Sequence, residues 1–253
     1  MNMNKTSWDS LAGNFEHNVL EIANCDMHST LKKEITRVAK GRRLAADLGC
    51  GAGSLLPLLC RKFSTVYAVD YSTALIQEAQ TRVKSPKVQF IRHNLAGDRP
   101  LPFAADVTFC VNALINPRHS IRRKIAQSIF NATKKNGLTV IVLPSLESVF
   151  HTYHTLIRCQ VRQGRKRHQA VRSMNRLFGT EVISPAEGIV TIGSSPTKCF
   201  MHEEIKMFLS DTGFEVTKIR RIEYPWTEEI TNAPKWLKAP YPRDWLVIAR
   251  RPK

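Results

Sequence analysis

Long apolar runs are missing from this chain of 253 residues: none approaches the roughly 18 residues that a membrane-crossing helix needs. The opening stretch, Met1 to Asp9, is polar and holds no apolar signal core, so the expected compartment is the cytoplasm. Paired cysteines are missing too. Cys25, Cys50, Cys60, Cys110, Cys159 and Cys199 form no C-x-x-C pair and no zinc-ligand spacing, so no metal is expected. Cys50 and Cys110 lie in or beside apolar runs, and the six are read as reduced thiols packing as small core residues. No internal repeat or low-complexity tract is present, which excludes a solenoid or a disordered array.

Acid is scarce. Asp and Glu number 21 against 38 Lys and Arg, a net charge of +17. The excess lies in the middle of the chain: residues 41–144 carry fifteen basic residues against five acidic, and 145–180 carry seven against one. Such a potential suits an acidic partner, RNA among them, without naming one.

What is present is a steady alternation. From Leu44 onward, "LAADLG", "TVYAVD", "VQFIRH", "DVTFCV" and "LTVIVLP" read as buried strands. Between them, "SLLPLLCRKF", "TALIQEAQTRV" and "IRRKIAQSIFNATKK" have helical spacing, the last running toward Gly137 as a C-cap. Helix "HEEIKMFLSDT" and strands "FEVTKIRRIEY" and "DWLVIARR" follow. Near-continuous apolar strands alternating with amphipathic helices predict an α/β fold: a mostly parallel sheet covered on both faces. Within one domain we expect an N-terminal helical cap segment (1–40), a ligand-binding core (41–144), an inserted basic helical lid (145–198) and the remaining core sheet with a Pro/Trp loop (199–253). Ligands of such sheets bind beyond the carboxyl ends of the strands. Both the insert and "PWTEEITNAPKWLKAPYPR" leave strands on that side, so together they are expected to roof a pocket.

The chemistry begins at "AADLGCGAGS". Asp47 precedes Gly49, Cys50, Gly51 and Gly53 at the end of the first strand, in a G-x-G-x-G pattern with Ser54 where a dinucleotide fingerprint wants glycine. A carboxylate two residues before the glycines suits a cationic amino-acid ligand better than a pyrophosphate. Asp70, followed by Tyr71, ends the second strand about 20 residues past the glycines, where an acid usually takes two ribose hydroxyls. Asn94 and Leu95 end the third strand, suited to an adenine amino group and ring; Asn112 follows the fourth.

"DLGCGAG", then "AVD", then the fourth strand from Asp106 resembles the class I S-adenosylmethionine-dependent methyltransferases, strongly over residues 44–144 and more loosely to the C-terminus. The resemblance implies a Rossmann-like sheet of seven strands with an antiparallel last strand. It implies S-adenosylmethionine as cofactor and S-adenosylhomocysteine as product. It puts Gly49, Gly51 and Gly53 against the amino-acid part, Asp70 on the ribose, and Asn94 with Leu95 at the adenine. The family more often has Asp at the position of Asn94, and Asn112 stands where it usually lines the reaction site.

No side chain is singled out as catalytic, because an activated sulfonium needs mainly positioning. Candidates for the acceptor side are Trp8 and Phe15 in the N-terminal segment, His151 and His154 three apart on one helix, and Tyr224 and Trp226 beside the Pro/Trp loop. Three readings stand: a methyltransferase with a small-molecule acceptor; an RNA methyltransferase using the run "RCQVRQGRKRHQAVR"; and a non-catalytic cofactor-binding regulatory subunit. Against RNA, "NALINPR" is no Asn/Asp-Pro-Pro-aromatic motif, and no Pro-Cys follows the fourth strand. The acceptor atom, the pathway and the oligomeric state stay open.

Overall fold

The computed structural model describes residues 22–192 and 195–253. Trp8 and Phe15, with the start of the N-terminal segment, lie outside the described residues. The described chain begins with a short helix α1 (Ile22–Cys25) and helix α2 (Thr30–Val38). The core then runs β1 (Leu44–Leu48), α3 (Leu56–Lys62), β2 (Thr65–Asp70), α4 (Thr73–Arg82), β3 (Val88–Arg92), β4 (Ala105–Val111), α5 (His119–Ala132) and β5 (Thr133–Pro144). An insert follows, made of helices α6 (Leu146–Arg162) and α7 (Arg167–Glu181) and strands β6 (Val182–Ser184), β7 (Ile189–Ile192) and β8 (Ser195–Lys198). Helix α8 (His202–Asp211) and strands β9 (Glu215–Glu223) and β10 (Arg243–Arg250) complete the core.

The seven core strands stand in the order β3-β2-β1-β4-β5-β10-β9. β1 to β5 pair in parallel, and β10 runs antiparallel between β5 and β9. Side-chain alternation divides the core between the two faces. Ala45, Val140 and Val142 join Ile35, Leu56, Leu59 and Ala79 from α2, α3 and α4. Ala46, Ile141 and Leu143 join Ile125, Ile129, Ile205 and Leu209 from α5 and α8. Both faces are covered, which is why these strands read as continuous apolar runs. This is the expected Rossmann-like sheet with an antiparallel last strand. Among the described residues, no helix is long and apolar enough to cross a membrane.

Two expectations need correction. Helix α5 does not reach Gly137; it stops at Ala132, and β5 starts at once with Thr133. The cap is a side chain. The Arg251 Nη1 donates to the carbonyls of Phe130, Asn131 and Thr133 at 3.0, 3.2 and 2.8 Å, satisfying the helix end without glycine. Asn136, at φ +61°, makes the left-handed turn. The insert, expected as a basic helical lid, holds besides its two helices a three-stranded antiparallel sheet of β6, β7 and β8. Leu146, Val182, Val190 and Cys199 give it a small core of its own.

Candidate functional site

The glycine loop is built by hydrogen bonds from its neighbours. Gly49 N and Cys50 N both donate to Val69 O, at 2.7 and 2.9 Å, which pins the turn after β1 to the end of β2. Gly49, Gly51 and Gly53 all take positive φ, +82°, +52° and +84°, a region costly for side-chain-bearing residues. The three are not equivalent. A Cβ on Gly49 would lie 2.4 Å from Ala113 Cβ, so this glycine lets the loop after β1 touch the loop after β4. A Cβ on Gly53 would meet Ala79 Cβ and Leu56 Cδ1, each at 3.0 Å, so Gly53 serves the packing of α4 on α3.

Asp70 closes the loop from the other side. Its Oδ2 accepts from Gly51 N at 3.0 Å and its Oδ1 from Ser72 N at 2.9 Å. These two bonds tie Asp70 to the glycine loop and to the start of α4. Tyr71 beside it is half-buried. Ser72 starts α4, its Oγ accepting from Leu75 N at 3.2 Å.

Asp47 differs. It is 2% exposed, and its Oδ2 has no hydrogen-bond partner. Burial, and then the nearby Asp70 carboxylate, raise its pKa to about 7. A buried, unpartnered acceptor at the mouth of a glycine loop is costly unless a ligand pairs it. Asn112, just past β4, has the same character: φ is +50°, and its Oδ1 is buried without a partner. Asp244 opens β10 opposite Pro144, at the carboxyl end of β5. It is 9% exposed and accepts from Tyr224 Oη at 2.8 Å. Burial carries its pKa to about 7, although its hydrogen bonds pull the other way. Asp47 and Asp70 are thus two buried carboxylates that feel each other's charge in a chain whose net charge is +17, and that local sign suits a cation.

The remaining candidates scatter. Asn94 is exposed, and its Oδ1 accepts from Ala96 N at 3.0 Å, spending one lone pair on a local turn. Leu95 is packed in the core face of α5. The Cys50 and Cys110 thiols are pushed up by burial, the latter to about 12, which leaves them unreactive. Tyr224 and Trp226 are 2% and 4% exposed, so their faces are spent in packing. Trp226 Nε1 donates to Lys238 O at 3.1 Å, and the His151 ring lies 5.2 Å from the Trp226 ring. His154 is exposed. No group of three or more metal-ligating side chains occurs among the described residues.

The two segments on the ligand side are tied together. Arg243 N donates to Ser148 Oγ at 2.8 Å, Trp245 Nε1 to Glu147 Oε2 at 3.2 Å, and the Arg162 guanidinium lies 4.0 Å over the Trp236 ring. Asp244 was not among the expected site residues. Its signal was an acid heading an otherwise apolar strand, "DWLVIARR".

The two raised carboxyls set a pH dependence. A group near 7 in the ligand-free protein must lose its proton to pair with a cation, so affinity rises as pH rises through 7. For one such group, affinity for S-adenosylhomocysteine is expected to be about tenfold weaker at pH 6 than at pH 8. Calorimetry at the two pH values checks this; a flat profile would mean that neither carboxyl pairs with the ligand.

Comparisons with known proteins agree with this geometry. Residues 45–137, from β1 into β5, match the family described as "Methyltransferase domain". A trans-aconitate 2-methyltransferase of Rhodopseudomonas palustris (strain BisB18) is 31% identical over 131 residues, 50% of this chain and 48% of that one. The chain therefore aligns with about half the length of that curated relative. Among solved structures, the N-methyltransferase NodS of Bradyrhizobium japonicum WM9, in complex with S-adenosyl-L-homocysteine, superposes with a TM-score of 0.63 at 9% identity, covering 98% of each chain. A SAM-dependent methyltransferase from Methanosarcina mazei gives 0.62 at 18% identity, covering 87% of this chain and 97% of that one. The acid-preceded glycine loop, the strand order with its antiparallel closing strand and the matched segment agree on one assignment: residues 45–137 carry a methyltransferase domain, within a fold shared with S-adenosylmethionine-dependent methyltransferases.

Proposed function

We propose that this protein transfers a methyl group from S-adenosylmethionine to a small-molecule acceptor. The observation that carries the cofactor side is the pair of buried, unpartnered acceptors, Asp47 Oδ2 and Asn112 Oδ1, on the two loops that Gly49 and Ala113 bring into contact. A ligand with an ammonium group pairs both. Bound S-adenosylmethionine supplies a methyl group on a sulfonium, already activated for displacement. The chain's own residues then hold and orient. Asp47 and Asn112 take the ammonium, Asp70 the ribose, and Asn94 with Leu95 the adenine edge. With the reactants aligned, positioning supplies most of the acceleration, and a general base is needed only for an acceptor that must lose a proton.

A small acceptor is supported by the roof. The insert and the Pro/Trp loop are joined through Ser148 and Arg162, which favours an enclosed site over an open groove. The 31% identical relative is named for a small acid. The test adds cofactor with a labelled methyl group, and the protein, to a lysate of its own source, then separates the products by mass with and without ribonuclease. Label in the low-mass fraction is the expected result. Tight cofactor binding with no label transferred would instead favour a regulatory subunit.

The insert favours a second reading. Arg158, Arg162, Arg165, Lys166, Arg167, Arg172 and Arg176 are all exposed, and none forms an ion pair among the described residues. Such a face suits a phosphate backbone. If RNA is the acceptor, label appears in large material that ribonuclease releases. Binding of an RNA oligonucleotide then falls about twentyfold between 50 and 200 mM salt for three phosphate contacts. Salt-insensitive activity would remove this reading.

A further inference from the structure

An arginine is costly to bury without a partner, because it cannot shed its charge by losing a proton. Arg243 is such a residue. It is half-buried, its Nε is buried with no hydrogen-bond partner, and it forms no ion pair among the described residues. Its guanidinium lies 5.4 Å over the Trp245 ring. The two acids whose charge it feels, Glu147 and Glu223, hold other donors. Glu147 accepts from His202 N at 2.8 Å and from Trp245 Nε1 at 3.2 Å, and Glu223 accepts from His28 Nε2 at 3.1 Å. A second nitrogen without a partner stands close by. Arg243 N donates to Ser148 Oγ at 2.8 Å, and His151 is three residues further along α6, on the same face of the helix as Ser148. His151 Nδ1 is buried and unpartnered. The Trp226 ring, 5.2 Å away and tilted by 60°, covers one side of the imidazole. Burial, and then the charges of Arg243, His154 and Arg158, lower the His151 pKa, so the field around a neutral ring is positive.

Both groups belong to the ligand side. β10 is antiparallel, so its first residue, Arg243, stands by the carboxyl end of β5, where Asp244 pairs with Pro144. α6 leaves that same end through Ser145. The glycine loop carries the opposite sign, with Asp47 and Asp70 buried there. Resting on the small-acceptor reading above, we propose that Arg243 and His151 bind an anionic group of the methyl acceptor, a carboxylate or a phosphate. Arg243 supplies the charge and a fork of N–H donors, and His151 supplies one N–H from Nδ1. An anion pairs both nitrogens that the fold leaves unpaired; a neutral acceptor leaves the arginine charge uncompensated. The tie between the insert and β10 runs through the Arg243 main chain, so its side chain is not needed to hold the roof.

The test starts from the low-mass extract of the protein's own source. The extract is passed over a quaternary-ammonium resin. The flow-through and the salt-eluted fraction are each given the full chain and cofactor with a labelled methyl group. Label is expected in the eluted, anionic fraction. Label from the flow-through alone overturns the anion site and leaves the small-acceptor reading standing. No label from either fraction removes that reading, and this proposal with it. Phosphatase treatment of the eluted fraction separates the two sources: an acceptor that is lost carries a phosphate, and one that survives carries a carboxylate. Variants then locate the contact. Arg243→Met is expected to raise the amount of eluted fraction needed for half-maximal rate about tenfold or more. His151→Phe keeps a ring against Trp226 and is expected to raise it about threefold. Calorimetry with S-adenosylhomocysteine is expected to stay within about twofold of wild type in both, a split that general damage does not produce. Unchanged acceptor demand in both variants, or an equal weakening of S-adenosylhomocysteine, overturns the assignment to Arg243 and His151. The fractionation needs no variant, so it decides the matter even if Arg243→Met does not fold.

Discussion

Replacing Asp47 by Asn is expected to make the ligand-free protein more stable and the cofactor site weaker. The sign follows from the environment. An ordinary Asp titrates near 3.8, whereas this one is raised to about 7, mainly by burial. The folded state therefore prefers the protonated form, and ionisation costs stability. That cost is absent well below pH 3.8, grows as pH rises, and is complete above 7. The displacement from 3.8 to about 7 corresponds to roughly 4 kcal/mol at most. The amide introduced by Asp47→Asn has no proton to lose, so the variant is expected to melt about 5–10 °C higher at pH 8. The gain should shrink to less than half at pH 5, where much of the wild-type cost has disappeared. The cofactor loses one charge-assisted hydrogen bond to its ammonium, about a tenfold to hundredfold weakening. Thermal melts at both pH values and calorimetry with S-adenosylhomocysteine read the two effects. A variant that is less stable at pH 8 would show that Asp47 is already satisfied inside the fold, and the unpartnered Oδ2 would then say nothing about a ligand.

Much of this was legible in the chain because burial on both faces leaves a plain mark. "LAADL" and "TVIVLP" are apolar throughout apart from Asp47 and Thr139, and strands of that kind occur where helices cover both sides of a sheet. The acid before the glycines and the acid after β2 were equally visible, since their roles depend on local spacing. What escaped depended on distant contacts. Gly137 looked like a helix cap, but Arg251, more than a hundred residues away, caps α5. Strands β6 to β8 are three or four residues long, too short for periodicity, and they form because they can lean on one another and on α6. Asp244 and Tyr224 were invisible as a pair because the residue after β9 must meet the start of β10 before their hydrogen bond exists. Tyr224 and Trp226 stand among the candidates for the acceptor side, and the proline-rich sequence around them gave no hint of how deeply they pack.

Gly49→Ala is expected to have the largest effect of any single substitution in the loop. Two costs add. The backbone at φ +82° is strained for a residue with a Cβ, by about 1–2 kcal/mol. The new methyl would also lie 2.4 Å from Ala113 Cβ. Ala113 has no side-chain torsion that moves its Cβ away, so the two loops must part. Parting them pulls Asn112, the next residue, away from Asp47, and the paired acceptors no longer serve one ammonium. Cofactor binding is expected to fall more than about a hundredfold, with a loss of stability of about 2–4 kcal/mol. The double variant Gly49→Ala with Ala113→Gly separates the two costs, because it removes the collision and keeps the strained backbone. If it recovers binding to within about tenfold of wild type, the glycine is there so that two loops can touch, and the site depends on their distance. If it stays as weak as Gly49→Ala alone, the left-handed backbone at this position is the requirement, and the approach of Ala113 is incidental.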